Sequence, residues 1–178
     1  MDVRPTAIDG LFVVGLDVHT DERGSFREAF QAEKLEALGL PDLGAVQWNI
    51  SVSARGTLRG IHAEPWDKYV HAVHGDAFGA WVDLRPDSAT RGHLVTLTLE
   101  AGNAVYIPRG IGNAFQALSD PTVYGYLVNA HWRPGTVYPA VAWDDPELGI
   151  SWPILPPLLS EKDTRNPRLR DVLQTSPR

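Results

Sequence analysis

Leu58-Arg59-Gly60-Ile61-His62 has the composition of a reactive site. Leu58 and Ile61 tie the backbone to an apolar core, Gly60 permits a close approach, and Arg59 and His62 set a permanent cation beside a titratable base. By itself the signal is weak, since a histidine next to an apolar residue is more often a hydrogen-bonded core or surface group. The other polar groups of interest also have ordinary readings. Tyr126, in Tyr124-Gly125-Tyr126-Leu127, reads as core packing, and Lys68 beside Asp67 as a solvated pair. Asp163, in Glu161-Lys162-Asp163, reads as a solvated turn. His71 and His74 lie three apart on a predicted strand, so they point to opposite faces and do not converge on a metal.

These residues are carried by a chain that reads as mainly β. A strand over 11–18 ends at the turn-like Asp21-Glu22-Arg23-Gly24, and period-two alternation follows in Ser25-Phe26-Arg27-Glu28-Ala29-Phe30, which puts Phe26 and Glu28 on one face of a hairpin. Helix formers over 32–38 stop at Gly39 and Pro41. In Gln47-Trp48-Asn49-Ile50-Ser51-Val52-Ser53 the polar residues share one side and the apolar residues the other, so one side is wet or lines a pocket. Short strands are expected over 69–73, 77–84, 94–99, 104–107, 114–118 and 123–128, broken by Gly, Pro and Asp turns. This spacing predicts an antiparallel sandwich or barrel with its core over about 46–130. The segment 131–178 reads as ordered, aromatic-rich loop followed by a closing helix, with Asn166-Pro167 as N-cap and first-turn pair and Leu169, Val172 and Leu173 on one face. One domain over 1–178 is expected.

Composition narrows the function. With 178 residues, 43% of them hydrophobic, the chain can bury a core of its own. A net charge of −6 argues against a nucleic-acid surface, while leaving room for a few arginines on a small phosphate ligand. The absence of cysteine excludes a disulfide framework, a thiolate metal site and a cysteine nucleophile. No stretch reads as a signal peptide or membrane span, so a cytoplasmic location is the expectation.

Gly102, five residues, Pro108-Arg109-Gly110, two residues and Asn113 have the form of the second motif of the cupin jelly roll, except that metal-binding cupins carry His where Asn113 stands. Asparagine is a poor transition-metal ligand, and His62 lacks the His-x-His pair of the first motif, so neither a metal nor another cofactor is expected. Leu58-Arg59-Gly60-Ile61-His62, Lys68-Tyr69-Val70, Val82-Asp83-Leu84-Arg85, Pro108-Arg109-Gly110, Asp144-Asp145-Pro146-Glu147-Leu148-Gly149-Ile150-Ser151-Trp152-Pro153 and Leu159-Ser160-Glu161-Lys162-Asp163 together resemble the dTDP-4-dehydrorhamnose 3,5-epimerase family, metal-free members of the cupin superfamily. The resemblance runs from about Gly10 to Asp163, in the family's order.

The resemblance implies a cupin-type jelly roll and a dTDP-linked 4-keto-6-deoxy sugar epimerised at C3, C5 or both. It makes His62 the base, Asp163 the carboxylate that orients it, Tyr126 the acid on the opposite face, and Lys68 the cation near the keto oxygen. It assigns nucleotide binding to Arg23, Phe26, Glu28, Gln47, Asn49 and Arg59, with Arg23, Phe26 and Glu28 acting across a homodimer. The chain departs from the family where Asn113 replaces a histidine and Arg109 an acid, and where His131-Trp132-Arg133-Pro134 replaces a tyrosine-bearing segment. Asn113 can bond a sugar oxygen but cannot carry a proton; Trp132 keeps a stacking surface, and His131 reads as a surface residue. These changes are expected around the sugar and leave open a single-centre epimerase. A sugar-binding cupin without catalysis and a metal-dependent cupin enzyme are the alternatives.

Overall fold

The computed structural model describes residues 1–175. The predicted alternation sorts side chains between two antiparallel sheets. The first runs β1 (Asp2–Pro5), β2 (Phe12–Gly15), β10 (Asn103–Ile107), β7 (Lys68–His74), β12 (Thr122–Val128) and β5 (Gln47–Ser53) in spatial order. The second runs β6 (Leu58–His62), β11 (Ile111–Ala117), β8 (Ala77–Asp83) and β9 (Leu94–Leu99). A separate hairpin pairs β3 (His19–Asp21) with β4 (Gly24–Phe26). The two large sheets form a sandwich, and among the described residues no pairing closes them into a barrel.

Between the sheets lie Val70, Ala72, Trp81, Val105, Phe115 and Tyr124, with the Phe115 and Tyr124 rings stacked 3.9 Å apart across the interior. The outer face of the six-stranded sheet is covered by α1 (Ala32–Ala37) and the chain around it, through Leu35, Leu40, Leu43 and Phe30. The outer face of the four-stranded sheet is covered by the C-terminal segment and α2 (Leu169–Thr175), through Val141, Leu148, Trp152, Leu169 and Val172. No described helix is long and apolar enough to cross a membrane.

Three local expectations change. The strand expected over 25–30 stops at Phe26 because Arg27 turns inward to donate to the carbonyls of Ala72 and Val73, at 2.8 and 3.0 Å, and Phe30 packs edge-on against Tyr69. Those carbonyls lie where the β7–β12 register shifts between Val123 and Tyr124. At α2, the backbone N–H of Leu169 donates to the Asp145 carboxylate at 2.7 Å, the capping role expected of Asn166. The first sheet also includes β1, a strand that the polar stretch Asp2-Val3-Arg4-Pro5 does not advertise.

β5 is an edge strand whose outer side chains, Trp48, Ile50 and Val52, are 53–64% exposed. Such an edge invites pairing with another chain.

Candidate active site

Strand β6 carries the first wall of the site, and its geometry depends on one irregularity. In a regular strand, residues three apart face opposite ways. Here His62 sits opposite Asn113 while Arg59 sits opposite Phe115, so β6 spends one extra residue against β11. The bulge turns Arg59 and His62 onto the same inward face, and Gly60 makes it possible. Gly60 has φ +130°, and a Cβ there would lie 2.5 Å from the Cβ of Ala114. The close approach that glycine suggested is therefore that of the neighbouring strand.

The sheets part at this end to leave a cavity of about 610 Å³. Nine of the residues singled out in the sequence line it: Gln47, Asn49, Arg59, His62, Lys68, Asn113, Tyr126, Trp132 and Asp163. The four-stranded sheet contributes Arg59, His62 and Asn113, and the six-stranded sheet contributes Gln47, Asn49, Lys68 and Tyr126. The predicted wet side of β5 is thus the cavity side. Gln47 donates to Asn49 at 2.8 Å and accepts from the backbone of Trp132 at 3.0 Å, which ties the C-terminal segment to this wall. Arg59 donates to Ser53 at 3.2 Å.

His62 and Asp163, 101 positions apart, meet through Nε2 and Oδ1 at 2.6 Å. Asp163 opens a 3₁₀ turn, Asp163–Arg165, that packs on β6. Burial disfavours its charge, yet the hydrogen bonds from His62 and Ser160 outweigh that cost and hold the carboxyl below its ordinary range. An ionised carboxylate can only accept, so Nε2 carries the hydrogen and Nδ1 keeps the basic lone pair.

Lys68 is buried, not solvated, and its partner is Glu64 at 2.5 Å; the neighbouring Asp67 turns away to bind Arg109 and Asn129. Desolvation pulls the Lys68 ammonium below its usual range, against the opposing attraction of Glu64. Burial, followed by the field of Glu64, pushes the Tyr126 phenol up, so it stays protonated at neutral pH. Among the described residues, the buried side-chain oxygen of Asn113 has no hydrogen-bond partner. Among the described residues, no group of three or more His, Cys, Asp or Glu side chains is placed to hold a metal.

Three of the singled-out residues lie elsewhere in the chain's own fold. Arg23 pairs with Asp21 on the exposed hairpin, Phe26 is 67% exposed beside it, and Glu28 pairs with Lys34. Of the departures expected around the sugar, Arg109 is a correction: it is exposed, bound to Asp67, and outside the cavity lining. His131 is exposed and also lies outside it. Sequence reasoning missed Glu64 and Tyr138. The Tyr138 ring leans on His62 with centroids 5.7 Å apart, and its hydroxyl accepts from Lys162 at 3.2 Å. The signal for Glu64 was its place two residues after His62; nothing in the Pro-rich stretch around Tyr138 marked it.

Comparison with known proteins gives this geometry its context. Residues 5–171 match the family described as dTDP-4-dehydrorhamnose 3,5-epimerase. The "Protein RmlC homolog" of Streptococcus pyogenes is 41% identical over 96% of this chain and 90% of its own length. The dTDP-4-dehydrorhamnose 3-epimerase of Streptomyces niveus is 39% identical over 92% of this chain and 81% of its own. The structure of RmlC from Streptococcus suis in complex with dTDP-D-xylose superposes with a TM-score of 0.91 at 42% identity, covering 96% of this chain and 92% of the other. A match over nearly the whole chain, together with a sandwich of the same shape, makes this protein a member of the dTDP-4-dehydrorhamnose 3,5-epimerase family.

Proposed function

We propose that the protein epimerises a dTDP-linked 4-keto-6-deoxyhexose at C3, C5 or both, by proton transfer beside the C4 ketone. The observation that carries this reading is the placement of the His62–Asp163 pair on one wall, and of Tyr126 on the facing wall, of a single cavity. The ketone acidifies the hydrogen on each flanking carbon. Neutral His62 removes one, Asp163 stabilises the imidazolium, and the electron pair passes to the C4 oxygen as an enolate beside Lys68. Tyr126 then returns a proton from the opposite face, and the centre is inverted. Asn113 holds a sugar hydroxyl without taking part in proton transfer. No step needs a cofactor, and a nucleotide-linked substrate fits work in the cytoplasm.

The test is incubation with dTDP-4-keto-6-deoxyglucose in deuterated water, read by NMR. Deuterium at C3, at C5 or at both is expected and counts the centres inverted; no incorporation at either carbon removes the enzyme reading.

The working unit in this reading is a homodimer. The exposed Trp48, Ile50 and Val52 face gives a second copy something to cover, and the hairpin bearing Arg23 and Phe26 stands clear of its own cavity. From the second copy, Arg23 binds the diphosphate, Phe26 stacks on the base and Glu28 closes the pocket, joining Arg59, Gln47, Asn49 and Trp132. Ile50→Asp, which buries a charge in that interface, is expected to yield single chains in sedimentation and to weaken dTDP binding at least tenfold, an order of magnitude set by the cost of an unpaired buried charge. A wild-type protein that sediments as a single chain at micromolar concentration would dispose of the dimer.

A further inference from the structure

The reaction proposed above gives Lys68 a task, and the structure surrounds it with a group that no role has yet been given. β6 ends at His62, the chain turns through Glu64-Pro65-Trp66-Asp67, and β7 begins at Lys68. Glu64 is thereby returned to the cavity wall, its Oε2 at 2.5 Å from Lys68 Nζ, with side-chain exposures of only 14% and 5%. The turn is held from three sides. Gly110 donates to the Glu64 carbonyl, Ala63 donates to the Pro139 carbonyl, and Asp67 takes Arg109 and Asn129. Lys68 also stands 5.8 Å from the centre of the Tyr126 ring. The ammonium therefore lies close to both a carboxylate and the proposed acid.

We propose that Glu64 is a positioning residue for this reaction: its carboxylate keeps Lys68 protonated and aimed at the oxygen that becomes the enolate. The inference rests on the epimerase reading and deepens it. An ammonium cut off from water tends to shed its proton, and a neutral amine stabilises an enolate oxygen far less than a cation does. The other ionisable groups opening on this cavity are Arg59 and His62 from β6, Tyr124 and Tyr126 from β12, and Tyr138, Lys162 and Asp163 from the C-terminal segment. Of the two carboxylates among these and Glu64, Asp163 is engaged by His62, which leaves Glu64 as the counter-charge for Lys68. During turnover the Lys68 N–H bonds stay intact. His62 gains the substrate proton, Tyr126 gives up its own, and Lys68 only donates a hydrogen bond to the C4 oxygen while it carries negative charge.

The experiment compares pH–rate profiles of Glu64→Gln and wild type, each in a Lys68 and a Lys68→Arg background. With Lys68 present, Glu64→Gln should lower kcat about tenfold at neutral pH with little change in KM, and shift the alkaline limb of kcat to lower pH by about one unit. Glu64→Asp should shift it the same way by less, and serves if Glu64→Gln fails to fold. In the Lys68→Arg background the limb should not move, because a guanidinium keeps its charge with or without Glu64. An unmoved limb with Lys68 present overturns the proposal. So does an equal shift in both backgrounds, which would mean that Glu64 acts on Tyr126. Wild-type deuterium incorporation with either of these results defeats the Glu64 role alone, whereas no wild-type incorporation defeats the epimerase reading itself.

Discussion

Replacing His62 with asparagine is expected to lower the epimerisation rate by about 10² to 10⁴, the range typical of a single acid–base group, while dTDP binding changes little. Asparagine fills similar space and can still bond Asp163, but it has no lone pair of useful basicity. Deuterium exchange at the sugar carbons should fall in step with turnover, because abstraction is the step removed. Asp163→Asn should cost somewhat less, about 10²-fold, because the imidazole survives while the charge that fixes its tautomer and balances the imidazolium is gone. The 2.6 Å contact between the two groups and the burial of Asp163 make this pair the centre of the account. A His62→Asn protein that exchanged substrate hydrogens at the wild-type rate would end it.

Gly60→Ala is expected to cost about 2–6 kcal/mol, adding backbone strain at positive φ to overpacking against a neighbouring strand. A Cβ there would meet the Ala114 Cβ at 2.5 Å, its Cα at 2.7 Å and the Asn113 carbonyl oxygen at 2.7 Å, all set by the position of β11. No rotamer change can relieve such contacts; β6 or β11 must shift. A loss of that size is a large share of the about 5–15 kcal/mol by which domains are stable, so much of the variant should be unfolded or insoluble. Any folded fraction should lose activity beyond its loss of stability, because the bulge is what turns His62 onto the face of Arg59. Chemical denaturation and the specific activity of the soluble fraction check both parts. A variant within about 1 kcal/mol of wild type would show that the strand contact is looser than the geometry implies.

The hairpin bearing Arg23 and Phe26 illustrates a limit of local reading. Alternation marked a strand over 25–30, of which the structure keeps only the start, pairing Gly24–Phe26 with His19–Asp21 and leaving Phe12–Gly15 to the large sheet, and alternation cannot say which cavity a protruding hairpin serves. The same limit applies to Lys68 and Asp67. Adjacent and oppositely charged, they read as one solvated pair, yet Asp67 ends the turn before β7 and Lys68 opens the strand, and Asp67 took Arg109 while Lys68 took Glu64.

What the sequence determined by itself was whatever repeats at short range or is carried by ordered motifs: the antiparallel strands from 47 to 128 other than β6, the sorting of Gln47, Asn49 and Ser51 onto one side of their strand, and the family to which the motifs belong. Period-two alternation expresses burial directly, so it is legible without partners. Only the tertiary structure decided that the sheets stay an open sandwich, that a bulge brings Arg59 and His62 to one face, and that Glu64 neutralises Lys68; the contact of Asp163 with His62 across 101 positions was implied by the family resemblance but by no local pattern. Each of those depends on packing between segments distant in the chain or on a single extra residue in a strand register. Local pattern carries no information about either, because the energies that settle them arise only when the two sheets close on one another.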